Sequence, residues 1–180
     1  MRNEIVTAPA EEPIALAEAK AHVRATDTSE DALITSLIIA AREYVEAYIL
    51  RKLVTQRWRV YYNDFYELVL FDLTPVSSVL SVKYIDADGV LTTLAADQYK
   101  LLKSAPANVI AAYGVTFPSP RNEAEAVYVE VECGYGGAAA VPVAIKQAML
   151  LFIGHHYEDR EAETPAAVNA LLSPYRVVTF

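Results

Sequence analysis

The sequence is poor in several features on which common protein functions depend. Its 180 residues include one cysteine and six glycines, and 15 Lys and Arg residues face 23 Asp and Glu residues. A single Cys133 excludes a disulfide framework and a paired-cysteine metal site within one chain. The net charge of −8 disfavours a protein that grips nucleic acid over its whole surface, because that affinity comes from cations that release condensed counterions.

Long hydrophobic runs are missing as well. The apolar helical stretches 32–41 and 147–157 are too short to cross a bilayer. The segment 1–9 has no basic region followed by an apolar one, so we expect no secretion signal. These absences favour a protein that is made in the cytoplasm and has no membrane partner.

What the chain does contain is an excess of apolar residues. Hydrophobic residues make up 54% of the sequence and charged residues 21%. This composition excludes a disordered chain and indicates surface that partners bury. The length fits one domain, or two small ones that share a core.

Helical periodicity marks both ends of the chain. We predict a short helix over 14–24 and a long one over 30–50, with N-cap oxygens from Asp27, Thr28 and Ser29. Pro142 opens a third helix, and a weaker amphipathic stretch covers 166–172. The long helix is apolar almost all round, which favours cover by a second copy of the protein, with cover by the chain's own strands as the alternative.

The middle of the chain alternates with the period of β-strands. The pattern predicts strands over 55–62, 66–71, 79–85, 90–94, 99–102, 108–112 and 126–133. The expected fold class is α+β: a helical bundle from the N- and C-terminal segments with an inserted antiparallel β-barrel or sandwich. Its parts are the bundle (13–54 and 138–176), the insertion (55–137) and two tails (1–12 and 177–180).

Few residues are candidates for chemistry. The nearest approach to a metal site is the group His155, His156, Glu158 and Asp159. Adjacent histidines on a helix point about 100° apart and share one ion poorly, so structural or solvent-facing histidines are favoured. Cys133 ends an alternating strand, which indicates a buried small hydrophobic residue and no reactive thiolate.

Two further patterns have both a functional and a structural interpretation. Asp86 and Asp88 before Gly89 resemble the opening of a calcium loop, but position 97 is Asp where the loop needs Glu, so a hairpin turn is favoured. A basic stretch is either a local nucleic-acid patch or a set of solvated charges at a helix end and an adjoining strand, and the second is favoured. It comprises Arg42, Arg51, Lys52, Arg57 and Arg59.

The order of several short motifs resembles the head-tail connector (adaptor) proteins of long-tailed bacteriophages and related gene-transfer-agent particles. The similar segments span nearly the full chain and lie at 16–24, 31–34, 40–48, 53–58, 141–148, 156–162 and 171–176. The chain departs from the family at the end of the long helix. There it has Ile49-Leu50 before Arg51, where the family often has a glycine before the basic residue.

The resemblance implies a structural virion protein without catalysis, cofactor or metal. Such a protein forms a ring of about twelve copies beneath the portal vertex. The ring extends the DNA channel in the neck between head and tail, and contacts the portal protein and the next head-completion or tail protein. Assembly takes place in the bacterial host cytoplasm, and isolated copies are expected to be monomeric, since such rings often need the portal as a template.

The same resemblance directs attention to interface residues. It maps the portal-binding segment onto Leu171, Leu172, Tyr175, Arg176 and Phe180. For contacts between protomers, the second face of the long helix supplies Ile39, Arg42, Glu43 and Glu46. Two other functions stay open: a small metal-dependent enzyme or ligand-binding β-barrel that uses the histidine pair, and a neighbouring tail-completion or stopper protein.

Overall fold

The computed structural model of the chain describes residues 2–66, 68–70, 72–161 and 163–177. Within these residues, two α-helices precede most of the strands in the chain and two follow them, and only the first strand lies before the first helix. The helices are α1 (Leu16–Val23), α2 (Asp31–Ile49), α3 (Val143–Glu158) and α4 (Ala166–Leu172). Short 3₁₀ turns at Ala138–Ala140 and Ser173–Tyr175 precede α3 and follow α4.

The described strands form two antiparallel sheets. They are β1 (Arg2–Thr7), β2 (Gln56–Tyr62), β3 (Leu68–Leu70), β4 (Val76–Ile85), β5 (Leu91–Thr93), β6 (Tyr99–Leu102), β7 (Ala107–Ala111) and β8 (Val127–Cys133). One sheet has the order β1-β2-β8-β4-β5 and the other the order β3-β7-β6. The α+β class is confirmed, but among the described strands neither sheet closes into a barrel.

The helices pack around one hydrophobic core because each presents an apolar residue about every third or fourth position. α2 contributes Ile34, Ile38 and Val45, which are fully or almost fully buried. α3 contributes Ile145 and Met149 from the facing side. Burying one side chain of this size stabilises the fold by about 1.5–3 kcal/mol, so this core holds all four helices together.

The two sheets share a second core. The central strand β8 alternates strictly, with Val127, Val129, Val131 and Cys133 buried and the residues between them half-buried. Leu70 of β3 and Val109 of β7 pack into the same cluster from the smaller sheet. The strand pattern in the sequence therefore identified the inward face of the sheet correctly.

Strand β1 was not predicted from the sequence. It pairs with β2 in antiparallel register, with Arg2 opposite Tyr61 and Ile5 opposite Trp58. Its segment has charged residues at Arg2 and Glu4 and forms the outer edge of the five-stranded sheet. An edge strand with charged residues of this kind is stabilised mainly by pairing with the neighbouring strand. Its own sequence pattern therefore does not predict it.

The ends of α2 are not capped as the sequence suggested. The N-cap residue is Glu30, which makes no capping hydrogen bond, and the Asp27 carboxylate instead accepts a hydrogen bond of 2.8 Å from the Ser29 backbone N–H. At the other end Leu50 adopts the left-handed conformation, with φ of 56°. This is the position where the connector family often has glycine, the residue that favours such a conformation. None of the described helices is both long enough and apolar enough to span a membrane.

Candidate functional site

The histidine pair near the end of α3 does not form a metal centre. The rings of His155 and His156 lie 5.7 Å apart at an angle of 74°, and the ring of His156 packs against Phe152 at 4.3 Å. Among the described residues, no group of three His, Cys, Asp or Glu side chains is placed to hold a metal ion. The geometry gives the metal-enzyme alternative no support.

The other candidate chemical groups have structural roles. Cys133 is buried at the end of β8, and burial raises the pKa of its thiol to about 12. Asp86 and Gly89 lie in the turn between β4 and β5, which pair as a hairpin. The Asp86 carboxylate accepts hydrogen bonds from the backbone N–H groups of Asp88 at 3.0 Å and Val90 at 2.9 Å. The hairpin interpretation is confirmed.

The basic stretch is largely neutralised within the chain. Arg42 pairs with Glu12 at 2.8 Å, and Lys52 with Glu46 at 3.4 Å. On β2, two further ion pairs join Arg57 to Glu132 at 3.6 Å and Arg59 to Glu130 at 3.1 Å. Arg51 donates instead to the backbone carbonyl of Tyr175 at 2.6 Å. These contacts favour the structural interpretation over a nucleic-acid patch.

The predicted protomer-interface residues of α2 differ in their exposure. Ile39 is 37% exposed and the side chain of Glu43 is 67% exposed. Arg42 is mostly covered by its contact with Glu12, and Glu46 is 5% exposed. Ile39 and Glu43 are therefore the two of these four that offer surface to a neighbour, while Arg42 and Glu46 act inside the chain.

Glu46 belongs to a polar network between α2 and the start of the sheet. Its carboxylate accepts hydrogen bonds from the Leu53 backbone N–H at 3.0 Å and the Gln56 side-chain amide at 3.1 Å. The Trp58 indole N–H then donates to the Gln56 side-chain oxygen at 2.8 Å. This role is not visible in the sequence, because Glu46 follows Arg42 by one turn and has the spacing of an exposed ion pair.

The C-terminal segment predicted to bind the portal folds back onto the end of α2. Leu172 is fully buried, Leu171 and Tyr175 are half-buried, and Arg176 is exposed. The Val177 backbone N–H donates to the carbonyl of Ile49 at 3.0 Å, and the Val177 side chain is buried. Phe180, the last of the predicted portal contacts, lies outside the described residues.

The same segment makes one contact that involves its charge. The Arg176 guanidinium lies 5.6 Å from the centre of the Tyr48 ring on α2. The contact between Arg176 and Tyr48 and the hydrogen bond from Arg51 to the Tyr175 carbonyl both join the C-terminal segment to the end of α2. A charged and aromatic surface is thus presented beside the C-terminal end of α2.

The chain is similar to proteins of known family and structure. Residues 13–87 match the family model of phage gp6-like head-tail connector proteins. No curated protein sequence matches the chain significantly. The family match covers α1, α2 and strands β2 to β4, and it includes the predicted protomer-interface residues.

Solved structures match over the full length. A chain from the virion of a native gene transfer agent (GTA) particle has a TM-score of 0.82 and 28% identity, covering 100% of this chain and 97% of that chain. With the same coverage, a chain from the neck of a native GTA particle computed with C12 symmetry has a TM-score of 0.80 and 27% identity. A chain from the neck of an empty GTA particle computed with C6 symmetry has a TM-score of 0.80 and 26% identity, again with the same coverage.

These results agree with the motif order found in the sequence. The family match over residues 13–87 and the full-length structural similarity both show that this chain resembles head-tail connector proteins of phages and neck proteins of gene transfer agent particles.

Proposed function

We propose that this chain is a structural connector of the virion neck, where identical copies form a ring that joins the DNA-filled head to the tail. The observation that carries the proposal is the full-length similarity to chains in GTA necks, one of them computed with C12 symmetry. The match to the head-tail connector family favours this function over that of a neighbouring stopper protein. The function needs neither a cofactor nor a catalytic step.

The ring would hold about twelve copies, in keeping with the C12 symmetry of the similar neck. Ile39 and Glu43 on α2 are the candidate contacts between copies, since both are exposed on the face of the helix opposite the chain's own core. An exposed apolar residue in a mostly polar surface is common, but here it lies within a face of small, nearly uncharged residues.

The portal protein is the proposed partner of the C-terminal segment. Arg176 and Tyr175 are of the types that dominate protein interfaces, and the contacts with Arg51 and Tyr48 fix them in place. Leu172 supports the segment from inside the helical core, while Leu171 lies half-buried at its edge. The opposite end of the ring would receive the next head-completion or tail protein.

The portal assignment is tested by co-sedimentation of the protein with purified portal. Arg176→Ala should weaken the association by about tenfold, as loss of an arginine anchor does at many interfaces. Arg160→Ala is the matched control, because Arg160 is also exposed but follows α3, outside the C-terminal segment. Equal binding by wild type and Arg176→Ala would count against this segment as the portal contact.

Truncation after Pro174 is a less clean test of the same assignment. It removes the carbonyl that accepts from Arg51 and the buried side chain of Val177. Loss of portal binding would then combine a missing contact with a loosened end of α2. A chain that lacks only residues 178–180 tests Phe180 without removing these contacts.

A further inference from the structure

The outer face of α2 is a continuous exposed stripe along the helix. It consists of Ala32, Thr35, Ser36, Ile39, Ala40, Glu43 and Ala47, which recur at intervals of three or four residues. On the helix this stripe lies opposite the buried residues Ile34, Ile38, Ala41 and Val45. Glu43 is its one charged residue, and the nearest cationic group to it in the described chain is Arg42 at 3.7 Å.

A second surface lies on the other side of the helical core. A groove of about 490 Å³ runs between the end of α1 and the C-terminal half of α3. We call it the α1–α3 groove; it is lined by His22, Val23, Arg24, Leu151, His155 and Glu158, among others. Gly154 forms part of its wall, where a Cβ atom would come within 3.1 Å of the His22 ring.

The two surfaces face in opposite directions. Phe152 of α3 packs on Tyr44 of α2 at 5.1 Å, so the core lies between the two helices. Leu151 and Glu158 belong to the side of α3 that points away from that core. A closed ring of identical copies needs two different surfaces on opposite sides of each copy, because every contact joins one copy's front to the next copy's back.

The surfaces are also complementary in chemistry. Leu151 is 39% exposed in the groove and Ile39 is 37% exposed on the outer face of α2. The groove has Arg24 and the imidazoles of His22 and His155 against one carboxylate, Glu158. Arg24 forms no ion pair within the described residues, and Glu43 is the charge that the opposing helix would bring to it.

We propose that the outer face of α2 of one copy packs into the α1–α3 groove of the next copy, with Ile39 against Leu151 and Glu43 beside Arg24. This rests on the proposed ring and names the two surfaces that form it. The register is set by helix geometry, because Ile39 and Glu43 lie one turn, or about 6 Å, apart on the same face.

A charge exchange between the two surfaces tests the pairing. Glu43→Arg and Arg24→Glu should each reduce ring formation on purified portal by about tenfold or more, because each places like charges together. The double variant should restore assembly to within about threefold of wild type. Rings counted by electron microscopy provide the measurement. The pairing is wrong if the single variants assemble normally, or if the double variant is as defective as the single variants. Because wild-type protein is tested for ring formation in parallel, the proposed function is judged separately from the pairing.

Disulfide trapping on purified portal, where the ring is expected to form, tests the same contact at the level of single residues. Copies with Ile39→Cys and copies with Leu151→Cys should form a cross-linked dimer only when mixed. Native Cys133 should not interfere, because it is buried and its thiol pKa is raised to about 12. Asp97→Cys, at an exposed site away from both surfaces, is the control partner and should not cross-link with Ile39→Cys.

The trapping experiment has outcomes that contradict the proposal. A dimer formed by Ile39→Cys alone would show that two α2 faces meet each other, which is a symmetric contact. A mixture that links no faster than the Asp97→Cys control would show that the groove is not the partner surface. In both cases the portal-binding assay still decides the proposed function separately.

Discussion

Glu46 connects α2 to the beginning of the sheet region. Its buried carboxylate accepts from the Leu53 N–H and the Gln56 amide, and it lies 3.4 Å from the Lys52 ammonium. A buried donor left without a partner costs about 1–3 kcal/mol. The network therefore fixes the direction in which the chain leaves α2, and with it the position of β2.

Glu46→Ala should lower the free energy of unfolding by about 3 kcal/mol, because it leaves the Leu53 N–H and one Gln56 side-chain N–H unpaired in a buried site. The other Gln56 N–H still donates to the Val54 carbonyl at 3.2 Å. Urea denaturation measures the change. Glu43→Ala is the matched control on the same helix and should alter stability by less than about 0.5 kcal/mol. Equal effects of the two substitutions would show that the Glu46 network contributes little.

Gly134 is required by close packing between two backbone segments. It has φ of +113°, and a Cβ atom there would lie 2.5 Å from the carbonyl oxygen of Val54. Gly134→Ala should therefore destabilise the protein by about 3 kcal/mol or more, since backbone must move. Gly114→Ala is the control, because Gly114 also has positive φ but no atom within 4 Å, and only about 1 kcal/mol is expected. Thermal unfolding of both variants shows whether the steric contact with Val54 or the positive φ contributes more to the loss of stability.

Helices and strands with strong periodicity were predictable from the sequence, with their ends within a few residues. α2 was expected over 30–50 and runs over Asp31–Ile49, because its buried residues repeat without interruption. β8 was expected over 126–133 and spans Val127–Cys133, because its buried residues alternate strictly with half-buried ones. β1 was not predicted because it forms through pairing with β2. The burial of Glu46 was not predicted because it depends on tertiary contacts with residues such as Leu53.

Prediction of the candidate site was limited in the same way. The amphipathic pattern located Ile39 and Glu43 on the outer side of α2, but it could not show that the N-terminal segment covers Arg42 through Glu12. The division into a helical bundle and a β-rich insertion stays a prediction. The two separate hydrophobic cores agree with it, and strand β1 at the N-terminus belongs to the sheet side of that division.

The β4–β5 turn should contribute to the pH dependence of stability. Hydrogen bonds from backbone N–H groups, that of Val90 first, hold the pKa of Asp86 below its ordinary value. The ionised form is thus favoured in the folded state, so its stabilisation is present above an ordinary pKa of about 3.9 and is lost as the pH falls through the lower folded-state value.

Asp86→Asn should flatten the loss of stability below about pH 4, because the amide does not titrate. Urea midpoints measured at several pH values for wild type and variant provide the test. Asp88→Asn is the control two residues away, since the Asp88 carboxylate accepts no hydrogen bond within the described residues. An unchanged pH profile in Asp86→Asn would show that ionisation of Asp86 does not contribute to the pH dependence of stability.

The protein as a whole carries a net charge of −8, which suits the DNA channel that the proposed ring would enclose. A lumen that repels phosphate does not hold DNA by counterion release. We expect weak duplex binding with little dependence on salt. Glu132→Gln, which frees Arg57 from its ion pair, should strengthen binding slightly and steepen the salt dependence. Fluorescence anisotropy over a salt series provides the measurement, and tight, steeply salt-dependent binding by wild type would contradict a repelling channel.

In the proposed neck, each copy is one of about twelve identical subunits bound to the portal. Cryo-electron microscopy of the protein mixed with purified portal tests this most directly, because it shows both rotational symmetry and the position of each copy. We expect a closed ring of about twelve copies, with the C-terminal segments on the portal. Portal particles that bind no ring, or that bind single copies without rotational symmetry, would contradict it.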